Sequence, residues 1–247
     1  GSGTRLWPLS RKSYPKQFSK IFKGPTLFQQ SITRVSNSEK IDYDPAITVT
    51  NSKFRFIVNE QLEEIGANNG SILIEPSARN TAPAILASCI YALKKDPSGI
   101  FLVMPSDHLI PNLDMFETMI QKGLMAVKDQ KMITFGIKPN SPETGYGYIQ
   151  FQNKKAGEVY EVKRFIEKPS VLNAKKMLSA NNYFWNSGIF LFKGIDLLKQ
   201  FEKLDRKLYT NVVNAVDHGV SDLNFYRLDN FYWDKCKNIS IDYAIME

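Results

Sequence analysis

The sequence predicts an α/β fold: a Rossmann-like, doubly wound and mainly parallel sheet with an antiparallel extension. Short apolar runs alternate with longer amphipathic stretches between Thr26 and Ile137, which is typical of the strands and helices of a parallel sheet. The rhythm changes after Pro139, and no internal repeat or flexible linker divides the chain. The 247 residues, of which 43% are hydrophobic, are therefore expected to form one continuous domain with a sizeable core.

The first half of the chain predicts four strands separated by helices. Apolar residues recur at helical spacing from Phe54 to Ile65, and Gly66 follows as a stop signal. Pro83 stands in the first turn of the next helix, where proline is tolerated. The predicted strands are 46–50, 71–75, 99–104 and 132–137, and the predicted helices are 54–65, 81–94 and 113–127.

The second half predicts the antiparallel extension. Two strand-like segments, 145–151 and 159–166, are separated by a polar turn, which favours antiparallel pairing. A further strand is predicted at 185–192. Helical patterns follow at 195–204 and 208–216, and a last one begins after Ser240.

Composition narrows the class of protein. The 32 basic and 25 acidic residues give a net charge of +7, but they form no dense basic block with interleaved aromatic residues, so nucleic-acid binding is not expected. No apolar run approaches the roughly 18 to 20 residues of a membrane span. Cys89 and Cys236 match no metal-ligand spacing and no disulfide framework. A reducing compartment, the cytoplasm, is therefore expected.

A glycine-containing loop at the beginning of the chain predicts a phosphate site. In Gly1-Ser2-Gly3-Thr4-Arg5 the glycines let the backbone direct its N–H groups at an anion, and Arg5 and Lys16 add positive charge. The spacing matches neither a Walker loop nor a dinucleotide fingerprint. A Gly-x-Gly turn is also common as simple loop punctuation, and that alternative stays open. Such a loop normally follows a buried strand, so we expect that sequence is missing upstream.

The residues that follow the predicted strands are the other candidates, because ligands of open α/β sheets bind beyond the carboxyl ends of the strands. Ser106 and Asp107 follow the strand 99–104, and Glu75 ends the strand 71–75. Asp107 and Asp242 are candidate Mg²⁺ ligands, since Mg²⁺ prefers carboxylates together with phosphate oxygens. Asp107 could equally serve as a turn former, and Asp242 could favour a helix dipole.

Other polar residues suggest a second anion site. Lys168 follows a predicted strand and precedes a proline that fixes its backbone, although a solvated lysine is the simpler interpretation. Asn186 offers both a donor and an acceptor, and Gly145 and Gly147 allow close approach of the backbone to a ring. His108 is expected to have a structural or supporting role.

Seven motifs, in this order along the chain, resemble those of the sugar-nucleotide pyrophosphorylases, a family of nucleotidyltransferases, and within it the mannose-specific guanylyltransferases. They are Gly-Ser-Gly-Thr-Arg-Leu-Trp-Pro-Leu-Ser with Pro-Lys-Gln, and the segments 75–84, 105–108, 143–149, 165–169, 186–190 and 240–247. The resemblance implies a fold of the nucleotide-diphospho-sugar transferase type. It further implies transfer of GMP from GTP to mannose 1-phosphate, with Mg²⁺ as cofactor.

The resemblance also implies roles for residues. Arg5, Lys16 and Asp107 are expected to be catalytic, and Asp107 and Asp242 to hold the metal. The expected nucleotide-binding residues are Gly1, Ser2, Gly3, Thr4, Arg5, Lys16, Glu75, Asn80, Thr81 and Ser106. The expected sugar-phosphate-binding residues are Gly145, Glu167, Lys168 and Asn186. No general base is expected, because a phosphate monoester is already mostly ionised at pH 7.

Several alternatives remain at this point. The chain could use another base or another sugar 1-phosphate, or it could be a non-catalytic relative that binds a sugar nucleotide. We expect residues 1–247 to be a nucleotidyltransferase domain that is truncated at both ends. Some long family members carry a C-terminal cupin-type isomerase barrel, and isomerase activity is not expected of this chain. Homo-oligomers are possible in this family.

Overall fold

The computed structural model describes residues 14–20, 24–129, 131–152 and 159–245, which form an α/β protein. The glycine loop Gly1–Arg5 lies outside the described residues. The strands are β1 (Ile47–Asn51), β2 (Ser71–Glu75), β3 (Ile100–Val103), β4 (Ile133–Ile137), β5 (Tyr148–Phe151), β6 (Val162–Ile166), β7 (Tyr183–Lys193), β8 (Val220–Asp222) and β9 (Phe225–Arg227). The helices are α1 (Leu27–Ser36), α2 (Arg55–Glu64), α3 (Thr81–Leu93), α4 (Leu113–Val127), α5 (Val171–Ala180), α6 (Gly194–Leu204), α7 (Arg206–Asp217), α8 (Asn230–Trp233) and α9 (Ile241–Ile245).

The chain divides into two compact units, each with one sheet. The first unit combines the described residues of 1–79 with 104–119 and 210–237. The second combines 80–103, the described residues of 120–209, and 238–245. Each unit therefore draws on three separate segments of the chain. The expectation of a single domain stays a prediction.

The first unit contains the parallel sheet. Its strand order is β1-β2-β9-β8, with β1, β2 and β9 parallel and β8 antiparallel at the edge. Helices α1 and α2 cover it, and α1 begins with a capping box in which Thr26 and Gln29 satisfy each other's backbone N–H groups. One apolar cluster joins these layers: Phe18, Phe28, Ile32, Val58, Leu62, Ile72, Ile74 and Phe225.

The second unit contains the antiparallel sheet, organised around the long strand β7. Strands β3 and β4 both pair with Phe190 and Leu191, so they lie on opposite sides of β7. Strands β4 and β5 both pair with Trp185, so β5 lies on the same side as β3. β6 completes the sheet beyond β5. On the side of β3 and β5, the segment 186–189 of β7 therefore lies between two strand partners, and Gly188 there has a φ of +68°.

The predicted α/β class, with a parallel and an antiparallel part, is confirmed. The prediction that 99–104 and 132–137 belong to the parallel part is wrong, because β3 and β4 pair antiparallel with β7. Apolar patterning reports burial but not the direction of the neighbouring strand, which explains the error. Strand β5 begins only at Tyr148, three residues later than predicted. The helix α5 and the hairpin of β8 and β9 were not predicted.

Candidate functional site

In the first unit, a lysine and an aspartate from distant parts of the sequence form an ion pair. Lys16 Nζ lies 2.8 Å from Asp107 Oδ2. Lys16 begins a short 3-10 turn after Pro15, and this turn is fixed by the buried ring of Phe18 and by a hydrogen bond from Gln61 to the Phe18 carbonyl. The cation is therefore held by the core of the unit rather than by a free loop.

The surroundings of Asp107 keep its carboxylate ionised. Burial raises the pKa of Asp107, but the hydrogen bond and the charge of Lys16 outweigh it and leave the pKa below its ordinary value. His108 Nε2 lies 3.9 Å from Asp107 Oδ1. Burial lowers the pKa of His108, so the ring is neutral at pH 7 and adds no positive charge.

An arginine from α1 supports the backbone beside Asp107. Arg34 Nη2 donates to the His108 carbonyl at 2.9 Å. Its guanidinium lies 5.6 Å from the centre of the Phe116 ring, and only 6% of the residue is exposed. Burial lowers the pKa of Arg34, which still remains fully charged at pH 7 because its ordinary value is above 12.

The loop that follows β2 is also held from a distant segment. Trp233, fully buried, donates from Nε1 to the Ser77 carbonyl at 2.7 Å. Asp234 accepts hydrogen bonds from the Ser77 hydroxyl and the Arg79 guanidinium at 3.1 and 2.9 Å.

Glu75 stands at the carboxyl end of β2, where burial raises its pKa to about 7. Near neutral pH this carboxyl group is therefore present in both protonation states.

In the second unit, Asn186 and Asp242 form the centre of a polar cluster. Asn186 Nδ2 donates to Asp242 Oδ1 at 2.7 Å, and Asn186 Oδ1 accepts from Thr134 and from the Gly188 N–H at 3.2 Å each. Burial raises the pKa of Asp242, and the hydrogen bond from Asn186 only partly opposes this. The charge of Glu167 raises the pKa further, whereas that of Lys168 lowers it. Asn186, Glu167 and Lys168 therefore all lie close enough to Asp242 to influence its pKa.

Lys168 has an unusual backbone conformation. Its φ is +42°, in the left-handed region that non-glycine residues seldom adopt, and Pro169 follows it. Its ammonium lies 2.7 Å from Glu167 Oε1, but 59% of the side chain is exposed, so this pair contributes little to stability. A strained residue whose charge adds little stability is a candidate for ligand binding.

Gly147 allows the backbone to lie close to the Glu167 carboxylate and the Phe165 ring. A Cβ at position 147 would lie 2.8 Å from both Glu167 Oε2 and the Phe165 ring, and the Gly147 carbonyl accepts from the Asn186 N–H at 2.8 Å. A Cβ at Gly145 would meet nothing within 4 Å. Gly147, rather than Gly145, is therefore the position where the fold requires a glycine.

Within the second unit, a hydrogen bond connects the start of α3 to the start of α9. Thr81 Oγ1 accepts from the Ile241 N–H at 2.9 Å, directly before Asp242 in the sequence. Asn80 caps α3 through its side chain, with a φ of +66° and a ψ of −162°, a conformation that is strained for any residue except glycine. Thr81 therefore fixes the segment that carries Asp242.

Both candidate metal ligands fit Mg²⁺ by their chemistry. Asp107 and Asp242 supply carboxylate oxygens, the hard donors that Mg²⁺ takes together with phosphate oxygens and water. Within the described part of the chain, no group of three or more His, Cys, Asp or Glu side chains could hold a metal ion.

Twelve of the predicted site residues fall into three groups, and the other four are placed separately: Glu75 ends β2 in the first unit, whereas Asn80, Thr81 and Gly145 belong to the second unit. Gly1, Ser2, Gly3, Thr4 and Arg5 lie outside the described residues. Lys16 and Asp107 meet in the first unit, and Ser106, the half-buried neighbour of Asp107 in the sequence, belongs to the same unit. Glu167, Lys168, Asn186 and Asp242 meet in the second unit. The roles given to these residues stay predictions.

Arg34, Trp233 and Asp234 hold the candidate loops but stand in no motif of the sequence. Arg34 lies 74 residues before His108, and Asp234 lies 155 residues after Arg79. Since their partners are a backbone carbonyl and a distant loop, no motif spacing could have indicated them. The helix α1, which carries Arg34, was itself not among the predicted helices.

The fold and the two clusters define an α/β protein in which lysine ammonium groups lie beside carboxylates, Lys16 beside Asp107 and Lys168 beside Glu167. The chain belongs to the nucleotidyl transferase family, whose model matches residues 1–235. It is 40% identical, over all of its length, to mannose-1-phosphate guanylyltransferase of Sinorhizobium fredii. The chain spans about half the length of the curated relatives it matches: 48% of that protein, and 52% of the xanthan biosynthesis protein XanB of Xanthomonas campestris.

Two solved structures have the same fold. One, described as mannose-6-phosphate isomerase from Helicobacter pylori, is 31% identical, with a TM-score of 0.83 over 95% of this chain and 89% of that chain. The other, described as mannose-1-phosphate geranyltransferase from Thermus thermophilus, is 27% identical, with a TM-score of 0.83 over 100% of this chain and 68% of that one. Among the described residues, no helix is both long and apolar enough to cross a bilayer.

Proposed function

We propose that this chain is the nucleotidyltransferase domain of an enzyme that makes GDP-mannose. An oxygen of the mannose 1-phosphate group attacks the α-phosphorus of GTP in line, the bond from that phosphorus to the bridging oxygen breaks, and pyrophosphate leaves. The observation that carries the proposal is the ion pair between Lys16 and Asp107, which brings a fixed cation and an ionised carboxylate together in a nucleotidyl transferase fold. The identity to mannose-1-phosphate guanylyltransferases supports the choice of substrates.

The first unit would handle the triphosphate. Lys16, together with Arg5 and the backbone of Gly1–Thr4, would neutralise the charge that develops on the leaving pyrophosphate. Ser106 would hydrogen-bond to a phosphate oxygen. Because the core fixes Lys16, its charge requires little reorganisation during the reaction, which is how preorganised groups lower a barrier.

The second unit would bind the sugar phosphate. Lys168 would pair with the phosphate, Glu167 would accept from the sugar hydroxyls, and Gly145 would leave room for the ring. The amide of Asn186 is occupied by Asp242 and Thr134, so we assign to it the orientation of Asp242 in addition to the expected contact with sugar. Asn80 and Thr81 would support the nucleotide side from the beginning of α3.

Asp107 and Asp242 would hold Mg²⁺, which, when bound, neutralises phosphate charge and orients the triphosphate. The pair with Lys16 holds the pKa of Asp107 below its ordinary value, so the carboxylate is ionised at neutral pH and ready to act as a ligand. No residue needs to remove a proton from the attacking phosphate, since its second pKa is about 6. The chemistry of this chain is therefore positioning and charge neutralisation.

Glu75 is our candidate for recognition of the base. The N1–H and the exocyclic amino group of guanine are adjacent donors, and an ionised carboxylate accepts from both. Burial raises the pKa of Glu75 to about 7, and donors of this kind would favour its ionised form when the nucleotide binds. Glu75→Gln is therefore expected to raise the KM for GTP more than the KM for mannose 1-phosphate.

The test is a substrate panel. The purified protein is assayed with Mg²⁺, mannose 1-phosphate and each of the four common nucleoside triphosphates, with detection of pyrophosphate and of the nucleotide sugar. We expect GDP-mannose from GTP. Turnover with a different triphosphate would overturn the base choice, and GDP-mannose binding without turnover would favour a non-catalytic relative. Conversion of mannose 6-phosphate to fructose 6-phosphate would favour an isomerase instead.

The buried free thiols of Cys89 and Cys236 suit the cytoplasm as the place of action.

A further inference from the structure

We propose that Arg34 is a positioning residue that holds Asp107 in the geometry needed for metal binding. This inference rests on the proposed function, because it concerns the carboxylate assigned to Mg²⁺. Arg34 acts through the backbone: its Nη2 donates to the carbonyl of His108, the residue that follows Asp107.

The anchor itself is rigid. Arg34 lies in the last turn of α1, and Phe28 and Ile32 of the same helix are buried in the core of the first unit. The capping box fixes the first turn, and Gln29 also donates to the Gln61 carbonyl of α2 at 3.1 Å. A hydrogen bond from this helix therefore fixes the loop that carries Asp107 relative to the core.

Stability alone does not account for a buried arginine at this position. Arg34 Nε and Nη1 are buried without a hydrogen-bond partner in the described part of the chain. A desolvated guanidinium with unpaired N–H groups costs free energy, and an apolar side chain of similar volume would avoid this cost. A buried polar group that is only partly satisfied calls for a functional reason, and control of the Asp107 loop supplies one.

Arg34 and Lys16 hold Asp107 in different ways. Lys16 occupies Asp107 Oδ2 directly, and it is also the residue assigned to the triphosphate. In the loop of Asp107, Arg34 contacts only a backbone carbonyl, so it fixes the loop without occupying either carboxylate oxygen. Arg34 can therefore keep its contact throughout the reaction.

The experiment compares Arg34→Met and Arg34→Lys with a matched control, Arg55→Met. Arg55 also belongs to the first unit, donates from Nη1 to the Ser52 carbonyl, and lies 4.0 Å from the centre of the Phe56 ring. It has no contact with the Asp107 loop among its recorded interactions in the described residues. Binding of Mn²⁺ in the presence of GTP, without sugar phosphate, is followed by electron paramagnetic resonance. Amide hydrogen exchange is measured over 105–110.

We expect Arg34→Met to weaken Mn²⁺ binding and to lower kcat by about 10- to 100-fold, the usual effect of removing a group that orients a metal ligand. The KM for mannose 1-phosphate stays within about twofold of the wild-type value, since the chemistry of the second unit is untouched. Exchange at 105–110 becomes faster, Arg34→Lys recovers part of both effects, and Arg55→Met changes neither.

Two outcomes overturn the inference. If Arg34→Met lowers the melting temperature but leaves Mn²⁺ affinity and exchange at 105–110 unchanged, Arg34 is merely structural. If Arg34→Met does not fold and Arg34→Lys shows wild-type exchange at 105–110 and wild-type metal affinity, then the directed hydrogen bond is unimportant. Should the wild-type protein show no turnover, the proposed function fails, and the exchange measurement still decides whether Arg34 holds the loop.

Discussion

Asp107 and Asp242 are both half-buried aspartates assigned to the same ion, but their pKa values move in opposite directions. Asp107 is paired with the ammonium of Lys16 at 2.8 Å, which leaves its pKa below the ordinary value. Asp242 has the neutral amide of Asn186 at 2.7 Å and feels the negative charge of Glu167, and burial leaves its pKa above the ordinary value. The partner, not the burial, decides which carboxylate is stable as an anion.

This difference indicates different tasks for the two carboxylates. Asp107 has a built-in counter-ion and is stable before any ligand binds. Asp242 has none of comparable strength, so it gains most when a cation arrives. Under the proposed function, Asp107 would bind a cation as a carboxylate that is already ionised, whereas a cation would itself favour the ionisation of Asp242.

The largest expected effect is on turnover. Asp107→Asn and Asp242→Asn should each lower kcat on the order of 10²–10³-fold at saturating Mg²⁺, because each removes one charged contact that acts in the transition state. The matched control is Asp222→Asn, which breaks the ion pair with Arg227 in the hairpin of β8 and β9. Steady-state pyrophosphate release measures all three variants. Near-normal activity of Asp107→Asn would show that the metal role assigned to it is wrong.

A second prediction concerns the strained residue of the second unit. Lys168→Met and Lys168→Gly both remove the charge, and both should raise the KM for mannose 1-phosphate about tenfold or more. Only glycine also relieves the φ of +42°, so Lys168→Gly should raise the free energy of unfolding by about 1 kcal/mol relative to Lys168→Met.

Leu223→Gly is the control for this effect in the first unit. Leu223 has a φ of +55°, is 90% exposed and stands in the turn between β8 and β9. Its replacement by glycine should raise stability by a similar amount and leave the KM for mannose 1-phosphate unchanged. Equal stability of Lys168→Gly and Lys168→Met in chemical denaturation would contradict the idea of stored strain at Lys168.

The sequence was sufficient to predict the α/β class and the positions of the carboxyl ends of the strands. Apolar patterning placed α4 and β2 closely, because one face of α4 and three successive side chains of β2 are buried. It assigned β3 and β4 to the wrong kind of pairing, since their partner is β7, at the centre of the second sheet. Which distant strand fills the neighbouring position is a matter of tertiary packing, and no local pattern reports it.

The candidate site was predictable only where a motif is local. Asp107 and Lys168 stand in short motifs at strand ends, so inspection of those ends found them. The contacts that hold the candidate loops come from elsewhere: Arg34 of α1 bonds to the loop of Asp107, and Asp234, beyond β9, bonds to the loop that follows β2. Such residues act through a backbone carbonyl or a neighbouring loop, and only coordinates reveal them.

Glu75 extends the comparison to a third carboxyl group, one without a recorded ion-pair partner among the described residues. Its pKa is raised to about 7, so the folded state holds a proton that the unfolded chain has lost above about pH 4.5. The free energy of unfolding should therefore fall as the pH rises from about 4.5 to 7, by about 1–3 kcal/mol. Glu75→Gln should remove this slope. Urea denaturation at pH 5 and pH 8 measures it, and an unchanged slope in the variant would exclude Glu75 as its source.

The smallest expected effect tests the comparison of the two aspartates without any ligand. A lowered pKa stabilises the fold above the ordinary value of about 4, so Asp107→Asn should lower the free energy of unfolding at pH 7 by about 1 kcal/mol. A raised pKa means that the ionised carboxylate destabilises the fold at pH 7. Asp242→Asn should therefore leave the free energy of unfolding unchanged or raise it by up to about 1 kcal/mol. Melting curves in a chelator, at pH 7 and pH 3.5, provide the measurement, and the loss caused by Asp107→Asn should shrink at the lower pH. The double variant Lys16→Met with Asp107→Asn should recover part of that loss, because Lys16 no longer stands beside a neutral side chain. Equal changes of the same sign in the two single variants would show that burial, and not the charge partner, governs both carboxylates.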